Sequence, residues 1–160
     1  MSQLELSITS DWGKIAGINE NILVFLESCE LPAESANRYA MVACELTENA
    51  IKYGSFEEAC SSISLCIKVG PRDISIEVTN HIGGGSHEYL RELDRTIQWI
   101  RGFQDPFEAY LERMQAISRE SMDADRSGLG LVRITYEGRA ALDFFIGDER
   151  TLSVSAVSEL

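Results

Sequence analysis

The residues best placed to do chemistry lie in Ala43–Gly54, A-C-E-L-T-E-N-A-I-K-Y-G, where Glu45, Asn49 and Lys52 stand at i, i+4 and i+7. Successive residues of a helix turn by about 100°, so these three fall in one narrow stripe. A carboxylate there can take a proton, and an amide oxygen can ligate a metal. Val42, Ala43, Leu46, Ala50 and Tyr53 lie on an adjoining apolar face that would anchor the helix to a core. The competing reading is a solvated polar face. Asn49 speaks against it, because asparagine competes with the backbone for hydrogen bonds and its place inside a good helix asks for a specific reason.

Two glycine-rich stretches offer a second kind of chemistry. Asn80–Ser86, N-H-I-G-G-G-S, reads as a loop whose glycines let the backbone approach a ligand, or simply as a flexible connection. In Asp125–Leu131, D-R-S-G-L-G-L, Ser127 can cap a helix over Leu129–Glu137, leaving its first amides open to a phosphate.

The elements that must hold these residues follow from periodicity. Leu4, Leu6 and Ile8 alternate as a strand, and Ile15 to Cys29 carries apolar residues at helical spacing. Pro32 opens the helix that bears the stripe and ends near Gly54. Ser62–Val69 and Ile74–Val78 form a hairpin through G-P-R-D, and Ala141–Ile146 and Leu152–Val157 another around G-D-E-R. Between them, Tyr89 to Ile100 and, after Pro106, Phe107, Tyr110, Leu111, Met114 and Ile117 mark two amphipathic helices. Their stripes read as core packing, with a second use as a cover that closes over a ligand. The order predicts an α+β fold: a two-layer sandwich of a mixed, mainly antiparallel sheet with helices on one face. The whole chain, 1–160, is expected to be one domain with a helical lid-like insert at about 86–126.

Charge and composition narrow the partners. With 14 basic and 26 acidic residues the net charge is −12, which disfavours nucleic acid and anionic membrane and favours a basic or neutral protein. No apolar run reaches the roughly 20 residues of a membrane helix, and the N-terminus lacks the marks of a signal peptide, so a cytoplasmic location is expected. Cys29, Cys44, Cys60 and Cys66 show no C-x-x-C spacing, and reduced, mostly buried thiols are expected.

L-P-A-E followed by C-E-L-T-E-N-A-I-K-Y-G resembles the N-box of the GHKL ATPases, and S-G-L-G-L is similar to their second glycine box. The small size and the D-R-S-G-L-G-L form most resemble the anti-sigma-factor serine/threonine kinases of the RsbW and SpoIIAB group. Lys52 matches the histidine-kinase form of the N-box better, yet His81 and His87 both follow the box, so no upstream helix carries an acceptor histidine.

The resemblance implies a Bergerat ATP-binding fold and Mg²⁺ with ATP or ADP. It implies Glu45 as general base toward an acceptor hydroxyl, and Asn49 as the residue that holds Mg²⁺ against the phosphates. Gly128, Leu129 and Gly130 would present amides to those phosphates, with Ser127 and Arg126 beside them. Asn80 and Gly84 belong to the first glycine box, which departs from the D-x-G-x-G pattern: Asn80, His81, Ile82, Gly83 and Gly84 lack its aspartate and one glycine. The implied function is phosphorylation of a small regulatory protein in bacterial signalling, the partner being antagonist-like or sigma-like. The alternative is a degenerate domain that acts by partner sequestration. A homodimer is also implied, for which apolar residues of the first strand and helix such as Leu6, Ile8 and Phe25 could supply a contact in addition to core.

Overall fold

The computed structural model describes residues 1–8, 15–53, 62–82, 87–119, 129–147 and 150–160. The elements run β1 (Ser2–Ile8), α1 (Ile15–Ser28), α2 (Ala33–Tyr53), β2 (Ile63–Val69), β3 (Asp73–His81), α3 (His87–Arg101), α4 (Pro106–Arg119), α5 (Leu129–Tyr136), β4 (Ala141–Gly147) and β5 (Thr151–Glu159).

The five strands form one sheet in the order β1-β2-β3-β5-β4, and every neighbouring pair is antiparallel. Side chains alternate across a strand. Ile63, Leu65, Ile67 and Val69 of β2, Ile74, Ile76 and Val78 of β3, and Leu152, Val154 and Ala156 of β5 therefore bury a single face. The helices cover that face. Helix α2 lies across β2, β3 and β5, α1 packs on α2, α5 packs on α2 and β4, and α3 and α4 lean on α5. The expected two-layer α+β sandwich is the fold observed.

Helix α2 is the central element. Its Ala36, Tyr39, Ala40, Val42, Ala43, Leu46 and Ala50 are all buried, as the apolar face predicts. The Tyr39 hydroxyl donates to the Glu159 carbonyl at 3.3 Å, tying the start of α2 to the end of β5. Buried Thr47 satisfies its hydroxyl on the Ala43 carbonyl one turn back, so it enters the core without an unmet donor.

Three expectations need correction. Strand β3 continues three residues past Val78, so Asn80 and His81 pair with Leu152 and Thr151 and are strand, not loop. The longer partner strand β5 supplies the extra ladder bonds, and the pairing outweighs the poor strand propensity of asparagine. Second, α4 does not bury its apolar stripe: only Ala109 is fully buried, while Phe107, Leu111 and Met114 are 41%, 44% and 41% exposed. Third, Ile8 is core and only Leu6 and Phe25 are half-buried, so Ile8 is not free for a dimer contact. Cys29, Cys44 and Cys66 are free and half-buried; Cys60 lies outside the described residues.

The terminal strand β4 is protected along its start. Arg101 of α3 donates to the Leu142 carbonyl at 2.7 Å, the Asp143 carboxylate accepts from the Phe144 amide at 2.9 Å, and Arg101 and Asp143 stand 3.5 Å apart. These contacts cover strand groups that would otherwise invite another chain.

Helix α5 ends at Gly138, whose amide bonds the Arg133 carbonyl at 3.0 Å. A Cβ at 138 would overlap the Ile134 carbonyl oxygen and Val42 Cγ2, so glycine is set by the close approach of α5 to α2. Gly138→Ala should therefore destabilise the fold by about 1–3 kcal/mol through overpacking. Denaturant unfolding tests this; an unchanged midpoint would show that the helices separate at no cost.

Candidate functional site

Helix α2 carries the polar stripe along the side that faces α3 and α5. Asn49 lies half-buried in a cleft lined by Leu46 and Ala50 of α2, Val78 and Asn80 of β3, Tyr89 and Leu93 of α3, Leu131 of α5 and Val154 of β5. Asn80 enters the same cleft from the sheet, only 5% exposed. Its Nδ2 donates to the His81 carbonyl at 3.2 Å, and its Oδ1 has no partner among the described residues. The Asn49 carboxamide also has none there. Two amide groups thus converge on an apolar cleft without protein partners for their oxygens. Water or a ligand can meet them.

Glu45, one turn before Asn49, turns toward α5 instead. Its carboxylate makes a close ion pair with Arg133, which is also bonded to Glu137 at 3.0 Å; the Tyr110 hydroxyl of α4 donates to Glu137 at 3.4 Å. Burial raises the Glu45 pKa, with Glu48 and Glu137 adding to the rise, and the Arg133 guanidinium pulls the other way. The carboxyl is therefore a better base than an exposed glutamate, held in place by one cation. Beside it, burial and the charges of Glu48 and Glu45 push the Cys44 thiol up to about 11, which makes it a poor nucleophile.

Gly130, in the first turn of α5, lies directly against this carboxylate. A Cβ there would overlap Glu45 Oε2, so a larger residue at 130 would turn the carboxylate aside. Leu129 is half-buried beside it. Lys52 is exposed on α2. Gly84, Arg126, Ser127 and Gly128 lie outside the described residues.

The structure thus brings Asn49 and Asn80 together and places Glu45 next to them against α5. Arg133, Tyr89 and Leu93 are the site residues that motif reading misses. Arg133 stands five residues beyond the glycine box's first glycine, where nothing in the spacing marks it as a partner of Glu45. The helical stripe through Tyr89 and Leu93 marked the right face, but not the cleft it fills.

For the Mg-nucleotide that the resemblance implies, the residues fit in kind. Asn49 offers an oxygen ligand and Asn80 a buried acceptor. Among the described residues no group of three His, Cys, Asp or Glu gathers for a metal, so Mg²⁺ would rest on Asn49, phosphate oxygens and water, a usual arrangement for this ion. Between the described residues this cleft holds about 10 Å³, with Tyr89 and Leu93 of α3 among its walls.

No protein-family model matches the chain, and no curated protein matches its sequence. Its fold is similar to a chain of the SiaB-SiaC complex from Pseudomonas aeruginosa, with a TM-score of 0.70 over 98% of this chain and 89% of that one, at 17% identity. At that identity the likeness is one of fold.

Arg133→Met keeps the side chain's bulk and removes its charge, so the Glu45 pKa should rise further, as followed by NMR titration of its carboxyl. A raised folded pKa means that the stability Glu45 contributes is full below its ordinary value of 4.5 and is lost as pH climbs through the folded value. Arg133→Met should move that loss to higher pH and deepen it. A titration unchanged by the substitution would show that the ion pair does not act on Glu45 in solution.

Proposed function

We propose that the chain is a signalling regulator of the anti-sigma-factor kinase type, which binds Mg-ATP in the α2–β3 cleft and phosphorylates serine or threonine on a small regulatory protein. The observation that carries this reading is the convergence of Asn49 and Asn80 on one cleft with their amide oxygens unpartnered among the described residues. That the similar fold was solved in a complex of two proteins supports work through a protein partner. The partner itself is read as antagonist-like or sigma-like from the resemblance alone.

In this reading Asn49 holds the metal, and Asn80 accepts from the adenine amino group through its Oδ1. Without the family's carboxylate that bond is weaker by about 1 kcal/mol. Glu45 accepts the proton of the acceptor hydroxyl, and burial suits it to the task. Arg133 keeps the carboxylate oriented until the acceptor arrives. Mg-ATP, when bound, supplies the phosphoryl group, whose transfer depends mainly on positioning and electrostatics. The glycine-box amides and Arg126 would complete the phosphate site.

A second reading, sequestration of a partner without nucleotide, is favoured by one observation: the cleft between the described residues is small, about 10 Å³. The two readings differ in what calorimetry with Mg-ATP records. On the kinase reading the parent binds, Asn49→Ala binds at least tenfold more weakly with its melting temperature unchanged, and Leu93→Ala binds several-fold more tightly because space is opened. Asn80→Asp should tighten ATP and leave GTP without gain, since guanine turns a carbonyl toward that position. Glu45→Gln should keep its affinity, because a base acts on transfer and not on binding. Failure of both the parent and Leu93→Ala to bind ATP would leave sequestration as the function.

A further inference from the structure

The Arg133 guanidinium serves two carboxylates from different edges. Its Nε donates to Glu137 Oε2 at 3.0 Å, one turn on along α5, while its Nη1 makes the close pair with Glu45 Oε1 of α2. Glu137 is held from the other side as well: its Oε1 accepts from the Tyr110 hydroxyl of α4 at 3.4 Å. That hydroxyl is placed by packing. The Tyr110 ring lies 4.9 Å from the ring of Tyr136 on α5, which stands 5.1 Å from Phe107, and Ala109, between Phe107 and Tyr110 in the chain, is fully buried. An unbroken line of polar contacts thus runs from α4 through α5 to Glu45 on α2.

Holding a long arginine side chain in one rotamer costs entropy, and a second charge-assisted bond, through Nε, offsets that cost and fixes the plane of the guanidinium. We propose that Tyr110 and Glu137 are positioning residues for Glu45, acting through Arg133, so that the seat of α4 on α5 governs whether the base stays charged. With the line intact, Arg133 faces Glu45 and opposes its uptake of a proton. When α4 lifts, the Tyr110 hydroxyl goes with it, Glu137 loses its outer bond, and Arg133 is free to turn to water. Glu45, half-buried beside the Cys44 thiol and repelled by Glu48 of its own helix, then takes up a proton more readily. Helix α4 thus acts on the base without touching it. The consequence for phosphoryl transfer rests on Glu45 being the base of the proposed reaction; the coupling itself does not depend on nucleotide.

The test is a carboxyl NMR titration of Glu45 in the intact chain without nucleotide, with Tyr110→Phe, Glu137→Gln and Glu137→Ala set beside the parent. Two effects oppose each other at position 137. Removing its charge relieves a repulsion and lowers the Glu45 pKa, whereas losing its hold on Arg133 raises it. Glutamine keeps an oxygen for Arg133 Nε and alanine does not. Glu137→Gln should therefore titrate at or below the parent, and Glu137→Ala above it by about half a pH unit or more. Tyr110→Phe removes no charge at neutral pH and keeps the ring against Tyr136, so it should raise the Glu45 pKa too, by less than Glu137→Ala. Equal lowering by glutamine and alanine, or a Glu45 titration that Tyr110→Phe leaves unmoved, would overturn the proposal, because Glu137 would then act by its charge alone. Should alanine at 137 loosen α5, Tyr110→Phe, which loses a single hydroxyl, still decides. Calorimetry with Mg-ATP separates this inference from the kinase reading. A parent that shows these shifts but binds no Mg-ATP loses the kinase and keeps the coupling; one that binds Mg-ATP without the shifts keeps the kinase and loses the coupling.

Discussion

The contact between α2 and α5 is the constraint from which the site takes its form. At one end Val42 meets Gly138, where an added methyl group would overlap both Val42 and the Ile134 carbonyl, and at the other Glu45 meets Gly130, where it would displace the carboxylate. Between them Arg133 reaches from α5 to Glu45. Glycine at 130 and 138 lets the helices approach, the approach buries Glu45, and the burial makes its charge dependent on one guanidinium. An acid brought this far out of water without that cation would take up a proton instead. The position of the strongest candidate base is thus a consequence of packing, and the same packing sets Leu131 of α5 into the wall of the neighbouring cleft.

The cleft shows the opposite balance. Asn49 and Asn80 are polar groups in apolar surroundings, with Tyr89 and Leu93 among the walls of the same cleft. The apolar side chains gain burial against Leu46, Ala50, Val78 and Val154; the amides lose hydration. Anything that meets the amides must offset the burial that α3 gives up. Helix α3 also holds the edge of the sheet through Arg101, at its far end from Tyr89. Its C-terminal end is anchored there, while near its start Tyr89 and Leu93 wall the cleft together with Leu46, Val78, Leu131 and Val154.

Much of this architecture was legible in the residues, and where it was not the reason is physical. The alternation in β2, β3 and β5 and the apolar face of α2 state their own burial, because one-sided contact with a sheet leaves a periodic mark. Asparagine and the glycines after it are turn formers, so Asn80 reads locally as loop; the ladder with Leu152 overrides that local preference, and a ladder is a non-local fact. The α4 stripe was read as core because amphipathicity says only that a face is apolar, not what covers it. Arg133 was missed since its partner lies 88 residues away, beyond the reach of any motif. Glu45 and Asn49 can be related from the sequence because their spacing is local, four residues on one helix.

The covered start of β4 bears on how such molecules can assemble. A sheet with two open ends can add strands without limit, and one chain can seed a fibre. Here Arg101 and Asp143 occupy the ladder groups of Leu142 and Phe144 at one end, while β1 closes the other as the terminal strand. A strand that meets its own copy edge to edge in antiparallel fashion does so about a twofold axis and uses up the edge in doing so. The Arg101 and Asp143 side chains, one from α3 and one from β4, therefore act at the start of β4 as a partial stop to strand addition.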